Sequence, residues 1–121
     1  MKFREFKTSS GKLVIAGKSA ETNEDVIKLA EPNEIVLHTK SPGSPFCVIK
    51  GKAGKKDIKE AAIFCAKYSR HWKKTRADTE IHYFLGKDIY KEKEMKIGTF
   101  GVKKAKKLTA KAKDIESFEG K

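Results

Sequence analysis

The sequence is poor in the residues that cross-link or punctuate a chain. Only three prolines and two cysteines occur in 121 residues. Cys47 and Cys65 have no Cys-x-x-Cys spacing, which excludes a disulfide scaffold and a zinc finger and casts both as small buried residues. No run approaches the ~20 consecutive apolar residues of a membrane-spanning helix. Met1-Lys2-Phe3-Arg4-Glu5 has charges with no apolar stretch behind them, so no signal peptide is expected. The expectation is a soluble, cytoplasmic protein with no membrane partner. Hydrophobic residues make up 38%. For one domain of this length, that predicts a thin core, roughly two layers deep.

What the sequence has in excess is positive charge, with 28 Lys and Arg against 16 Asp and Glu, a net +12. The excess is lopsided. Residues 50–76 carry ten basic and two acidic side chains, and residues 87–113 carry ten and three, while residues 1–49 are nearly balanced. Evenly mixed lysines would read as a solubilising surface. Concentrated blocks predict a basic face that draws polyanions, because each Lys or Arg set on a phosphate releases condensed counterions.

Local patterns predict an α+β domain with a mainly antiparallel sheet, an N-terminal β-hairpin and two helices. Phe3-Arg4-Glu5-Phe6-Lys7 alternates, Ser9-Ser10-Gly11 supplies a turn, and Leu13-Val14-Ile15-Ala16 returns as a strand. Thr22-Asn23-Glu24-Asp25 resembles a helix start capped by Thr22, with Pro32 as the stop. Ile35-Val36-Leu37 and Phe46-Cys47-Val48-Ile49 read as antiparallel neighbours. The longer helix runs from Asp57 as its cap to about Lys74. Ile58, Ala61, Ala62, Cys65, Ser69 and Trp72 mark its inner face, and Lys67, Arg70 and Lys74 lie outward. Residues 79–85 read as a strand, and 98–102 as another whose glycines mark a bulge or close approach. Lys103–Lys113 is too basic for core and is expected as an edge strand or a basic tail.

One stretch has chemical content. After Leu37 come His38-Thr39-Lys40-Ser41-Pro42-Gly43-Ser44-Pro45. Gly43 lets backbone N–H groups approach a phosphate, Thr39 and Ser44 donate, and Lys40 adds charge. The alternative is a proline-stiffened connection whose polar groups satisfy their own backbone. Neither the Walker A nor the dinucleotide-binding glycine pattern is present.

Leu37-His38-Thr39-Lys40, Pro42-Gly43-Ser44 and Val48-Ile49 resemble the signature of the NFACT RNA-binding domain family, and the flanks agree. Phe3-Arg4-Glu5-Phe6, Ser9-Ser10-Gly11, Gly17-Lys18, Asn23-Glu24, Ala61-Ala62, Ala66-Lys67-Tyr68-Ser69 and Ile97-Gly98-Thr99-Phe100 follow in the family's order. The resemblance covers residues 3–108, leaving 109–121 as a C-terminal edge strand or tail. Pro45 stands where the family often has histidine, which argues against a two-histidine, metal or catalytic site. Large family members add an N-terminal module and coiled-coil arms that engage the stalled large ribosomal subunit and tRNA. A chain of 121 residues fits the single domain, so peptide tailing is not carried over.

The resemblance implies an RNA-binding module in translation or ribosome quality control, with ribosomal RNA or tRNA as partner on the large ribosomal subunit. Lys40, Thr39, Gly43, Ser44, Lys67, Arg70 and Lys74 are the expected RNA contacts, and His38 is expected to fix the loop through a backbone group. Tyr68, His71 and Trp72 are stacking candidates, although Trp72 shares the stripe of Ile58 and Cys65 and so reads as core. No catalytic residue, metal or cofactor is expected. The competing function is an RNA-processing or RNA-modification enzyme with His38 as general acid or base, or an accessory subunit of one. A protein-binding adaptor would need an exposed apolar patch that the sequence does not advertise.

Overall fold

The computed structural model describes residues 2–40 and 43–119, so the expectations at Ser41 and Pro42 lie outside the described residues. Along the chain come β1 (Arg4–Lys7), β2 (Leu13–Ala16), α1 (Ala20–Leu29), β3 (Ile35–Thr39), β4 (Cys47–Ile49), α2 (Lys55–Lys67), α3 (Arg70–Thr75) and β5 (Thr79–Leu85). A 3-10 turn at Gly86–Asp88 leads to β6 (Ile89–Tyr90), β7 (Gly101–Val102), β8 (Lys106–Ala110) and α4 (Ala112–Glu119). Six strands form one antiparallel sheet in the order β1-β2-β4-β3-β5-β8, and β6 and β7 form a separate ribbon. The α+β class, the opening hairpin and the β3–β4 pairing agree with the sequence reading.

Alternation along the central strands builds both faces. Val14, Leu37, Cys47, Ile49 and Ile81 face α2, where Ala61, Ala62, Cys65 and Ala66 let the helix lie close, and Trp72 and Ile115 complete that core. Ile15, Val36, Val48 and Phe84 face the other way, beneath Val26 of α1 and Phe100 and Val102 of the ribbon. The sheet is therefore covered on both sides over its centre, giving three layers where the composition suggested two. Cys47 and Cys65 are buried free thiols, and burial pushes the Cys47 thiol up.

The helices depart from expectation in number and boundaries. The predicted helix from Asp57 to Lys74 is two helices. Ser69 divides them because its hydroxyl donates to the Ala66 carbonyl (2.7 Å) and accepts the Trp72 N–H (3.1 Å), capping α3. Asp57 is the third helical residue rather than the cap, and accepts the N–H of Gly54, the actual cap, at 3.0 Å. In α1 the cap is Ser19, three residues before Thr22. Ser19 accepts the Thr22 N–H while Thr22 Oγ1 accepts the Ser19 N–H at 2.8 Å. The fourth helix, α4, was not anticipated. It begins at Ala112 within the basic stretch, whose residues 106–110 form the sheet edge, and its Glu119 accepts from Trp72 Nε1 (3.2 Å) and pairs with Arg76 (2.9 Å). Of the expected strand at 98–102, only Gly101–Val102 pairs, and a Cβ at Gly101 would fall within the Tyr90 ring across the ribbon.

The hairpin turn is tied to the start of α2. Thr8 donates to Asp57 at 2.7 Å, Ser10 also donates to Asp57, and Ser9 donates through its N–H and hydroxyl to Glu60. These bonds, first Ser10, then the Gly54 amide and Thr8, pull the Asp57 carboxyl down to about 2. An unfolded aspartate titrates near ~3.9, so the unfolded chain takes up the proton first. The stabilisation is complete above about pH 4 and is lost as pH falls towards 2. Asp57→Asn will lower the melting temperature at pH 7 and flatten this acid limb. Denaturant melts from pH 7 to pH 2 check it, and an unchanged limb would contradict the assignment.

Candidate nucleic-acid interface

On the α1 side, the ribbon and α1 cover β2, β4 and the first half of β3 but stop short of the sheet's other end. The cross-strand register His38↔His82↔Lys107 puts these three side chains in one row on the α1-side face, with His38 and His82 half-buried and Lys107 exposed. Lys40, whose N–H bonds the Glu80 carbonyl (3.1 Å), belongs to the next row. A cleft of about 740 Å³ opens where this surface meets the β3–β4 connection, the start of α1, and the ribbon.

The β3–β4 connection is held from three directions. Ser44 Oγ accepts the Thr39 N–H at 3.1 Å and closes the loop on itself. The Gly43 carbonyl accepts the Arg70 N–H at 2.9 Å, fastening the loop to the start of α3. Gly43 has φ +89°, and the Arg70 side chain crosses it so closely that a Cβ would lie 3.0 Å from Nε. The chain then enters β4 through Phe46, whose N–H donates to Asn23 Oδ1 at 3.1 Å and whose carbonyl accepts the Gly17 N–H at 3.2 Å.

His38 stacks on Phe46 with centroids 4.1 Å apart and planes 15° apart, and Phe100 meets Phe46 edge-on at 5.3 Å. Burial lowers the His38 pKa to about 4, aided by nearby His82 and opposed by backbone hydrogen bonds to Ser44 and Thr39. The imidazole is neutral at pH 7. His82 Nε2 instead meets Glu80 at 2.8 Å, and this bond leads the lowering of the Glu80 pKa, with Lys40 and Lys107 adding to it.

Arg4, Lys18, Lys40, Arg70 and Lys73 line the cleft, and no carboxylate does so among the described residues. Arg4 is fixed by a bond to the Gly17 carbonyl (3.3 Å) and by its guanidinium over Tyr68, 4.2 Å from the ring centroid. The ribbon wall is pinned to α1. Glu24 accepts the Gly98 N–H at 2.7 Å and Lys91 Nζ at 2.8 Å, while Gly98, at φ +81°, lies against Ala20 where a Cβ would be 2.9 Å away. The Lys91 bond is the largest cause of a lowered Glu24 pKa, so this anchor is charged at pH 7.

Seven of the sequence-derived residues come together here: His38, Thr39, Lys40, Gly43, Ser44, Tyr68 and Arg70 all line the cleft. Lys67 lies beside it, its Nζ 4.3 Å from the centroid of the Tyr68 ring that lines the cleft. Lys74, on α3, does not line it. Trp72 is fully buried and belongs to the core, as its place on the apolar stripe implied, so it is no stacking platform. His71 faces Asp78 and Thr75, away from the lining. Sequence reasoning missed Arg4, Lys18 and Lys73, and the ring wall of Phe46 and Phe100. Arg4 and Lys18 sit in the nearly neutral first part of the chain, where charge counting gives no signal. No group of three His, Cys, Asp or Glu side chains among the described residues is placed to hold a metal ion.

Residues 2–104 match the family described as the NFACT protein RNA binding domain. The archaeal Rqc2 homolog aRqcH of Methanocaldococcus jannaschii is 35% identical over 102 residues, covering 78% of this chain and 15% of that protein. Among solved structures, the C-terminal part of the fibronectin/fibrinogen-binding protein from Streptococcus suis superposes with a TM-score of 0.84 at 20% identity, over 97% of this chain and 49% of that one. At that identity the likeness establishes the fold. The chain thus spans a small part of the curated relative and about half of the structural one. By the match over residues 2–104, the chain belongs to the NFACT RNA-binding domain family.

Proposed function

We propose that this domain binds RNA by seating the sugar–phosphate backbone in the cleft. We further propose that it serves ribosome quality control in the cytoplasm, on ribosomal RNA or tRNA, with the large ribosomal subunit as partner. The observation that carries the reading is the lining itself, where Arg4, Lys18, Lys40, Arg70 and Lys73 surround one concavity that no carboxylate among the described residues lines. Held between low-dielectric walls, cations of one sign focus the field on an approaching phosphate. The family match and the likeness to the archaeal Rqc2 homolog support the RNA and quality-control parts. We take residues 3–108 as the binding unit, with the remainder finishing β8 and adding α4. Within it, Lys40 and Arg70 contact phosphate, Thr39, Gly43 and Ser44 shape the loop, and Lys67 and Lys74 add longer-range attraction. His38 fixes the loop, its ring set beside the Ser44 and Thr39 backbone and stacked on Phe46. The role is binding rather than catalysis.

Affinity for structured RNA will fall steeply with salt. With about five phosphates neutralised, the log–log slope is about −4 to −5. Lys40→Ala will weaken binding by about tenfold or less and make the slope about one unit shallower. Arg70→Glu will weaken it far more than Lys74→Glu, because only Arg70 lines the cleft. Titrations across a tenfold salt range, with circular dichroism to confirm folding, test these statements. A flat salt response, or equal effects at Arg70 and Lys74, would place binding elsewhere.

His38 yields a separate prediction. Its pKa of about 4 lies below the ~6.5 of an unfolded histidine, so the unfolded chain binds the extra proton. Stability therefore falls as pH drops from about 6.5 to 4, above the window in which Asp57 acts. His38→Gln will flatten that interval, and His38→Ala will cost roughly 1–3 kcal/mol through unpaired backbone partners. Thermal melts at pH 4 to 8 read both. Should His38→Ala keep its stability and RNA affinity yet abolish turnover of an RNA substrate, the enzymatic role would replace the binding role.

A further inference from the structure

The cleft has two kinds of wall. One is cationic, with Arg70 and Lys73 where α3 meets the Gly43 loop. The other is made of rings, with Phe100, Phe46 and His38 in continuous contact. Phe46 is nearly sealed, at 4% exposure, and serves as backing, while Phe100 and His38 are half-buried and line the opening. A surface that only gathered phosphates would have no use for a ring wall. The concavity also selects by shape. Its volume of about 740 Å³ falls in the range, roughly 300–1,000 Å³, of pockets that enclose small ligands. Double-stranded RNA offers proteins a wide, shallow minor groove and its phosphates, and its bases stay stacked inside. A duplex can lie across the rim, but its bases cannot reach the ring wall.

We propose that the cleft takes an unpaired nucleotide, with its phosphate at Arg70 and Lys73 and its base against Phe100 and His38, so that the preferred ligand is single-stranded or flipped-out RNA. The inference rests on the RNA-binding reading above and names its substrate class. The rigidity of both walls supports it. Glu24 clamps the ribbon at Gly98, two residues from Phe100, and Gly43 is bound to α3 through the Arg70 N–H. The pocket is therefore built before a ligand arrives, which lowers the ordering cost of binding. The row His38–His82–Lys107 runs from the cleft across the open sheet and gives the strand a path out.

The test compares an unstructured eight-nucleotide RNA with the same strand annealed to its complement, by fluorescence anisotropy at one ionic strength. The single strand should bind about tenfold more tightly or better. Uridine monophosphate should displace it at concentrations at least tenfold lower than inorganic phosphate does at matched ionic strength. Phe100→Leu, which keeps an apolar side chain packed on Phe46, should weaken single-strand binding about tenfold. Phe100→Tyr should restore it, with melting temperatures confirming that both variants fold. Equal or tighter binding of the duplex, or phosphate competing as well as the mononucleotide, would overturn the unpaired-nucleotide inference while leaving RNA binding in place. Absence of binding to either RNA at low salt would overturn both.

Discussion

Strand β3 carries the architecture because it is paired on both edges and occupied on both faces. It bonds β4 along one side and β5 along the other, so every backbone polar group in its centre is satisfied inside the sheet. Leu37 turns to the helical layer while Val36 and His38 turn to the α1 side. A slip of one residue would exchange these faces, burying Lys40 under α2 and exposing Leu37. The cleft depends on this register. It places His38 beside His82, sends the loop after Thr39 back towards α3, and leaves Lys40 at the margin of the open surface.

The cations of the cleft are collected from separate parts of the chain. Arg4 comes from β1, Lys18 from the approach to α1, Lys40 from the end of β3, and Arg70 and Lys73 from α3. Mutual repulsion opposes such a gathering, and the structure offsets it locally by fixing the guanidiniums on neutral partners. Arg4 is held by a carbonyl and the Tyr68 ring, and Arg70 lies along Gly43. Of the nearby carboxylates, Glu24 is engaged with Lys91 and Glu34 with Lys50, while Glu80 is bonded to His82 at the margin of the cleft. Positive potential in the cleft thus follows from where the acids are spent as much as from where the bases lie.

His38 and Asp57 show how the same kind of chemistry can serve structure. Each is a titratable group whose pKa has moved, His38 mainly by burial and Asp57 by hydrogen bonds from Ser10, Gly54 and Thr8. A perturbed histidine in a cleft is a natural candidate for proton transfer. Here the ring is half-buried and stacks on Phe46. The histidine that does meet a carboxylate is His82, through Glu80.

The sequence by itself determined the elements whose signals are local and dense. Alternation announced β1 and β5, short apolar runs announced β2 and β3, and the small-residue stripe announced the face of α2 that packs on the sheet. The His38–Ser44 stretch was legible as a candidate site because its residue types are chemically unusual after a buried strand. Tertiary structure alone decided the rest, for reasons of geometry. Ser69 sits on the apolar stripe at helical spacing, so nothing local shows that its hydroxyl will leave the helix to cap the next one. The hydrophobic pattern of α4 becomes meaningful once Ile115 has a core to enter and Glu119 has Trp72 to meet. Arg4, Lys18 and Phe100 join the cleft only because strand pairing and the Glu24–Gly98 anchor bring distant segments to one end of the sheet. Composition announces charge, but its convergence on one concavity is set by long-range pairing that no window of sequence contains.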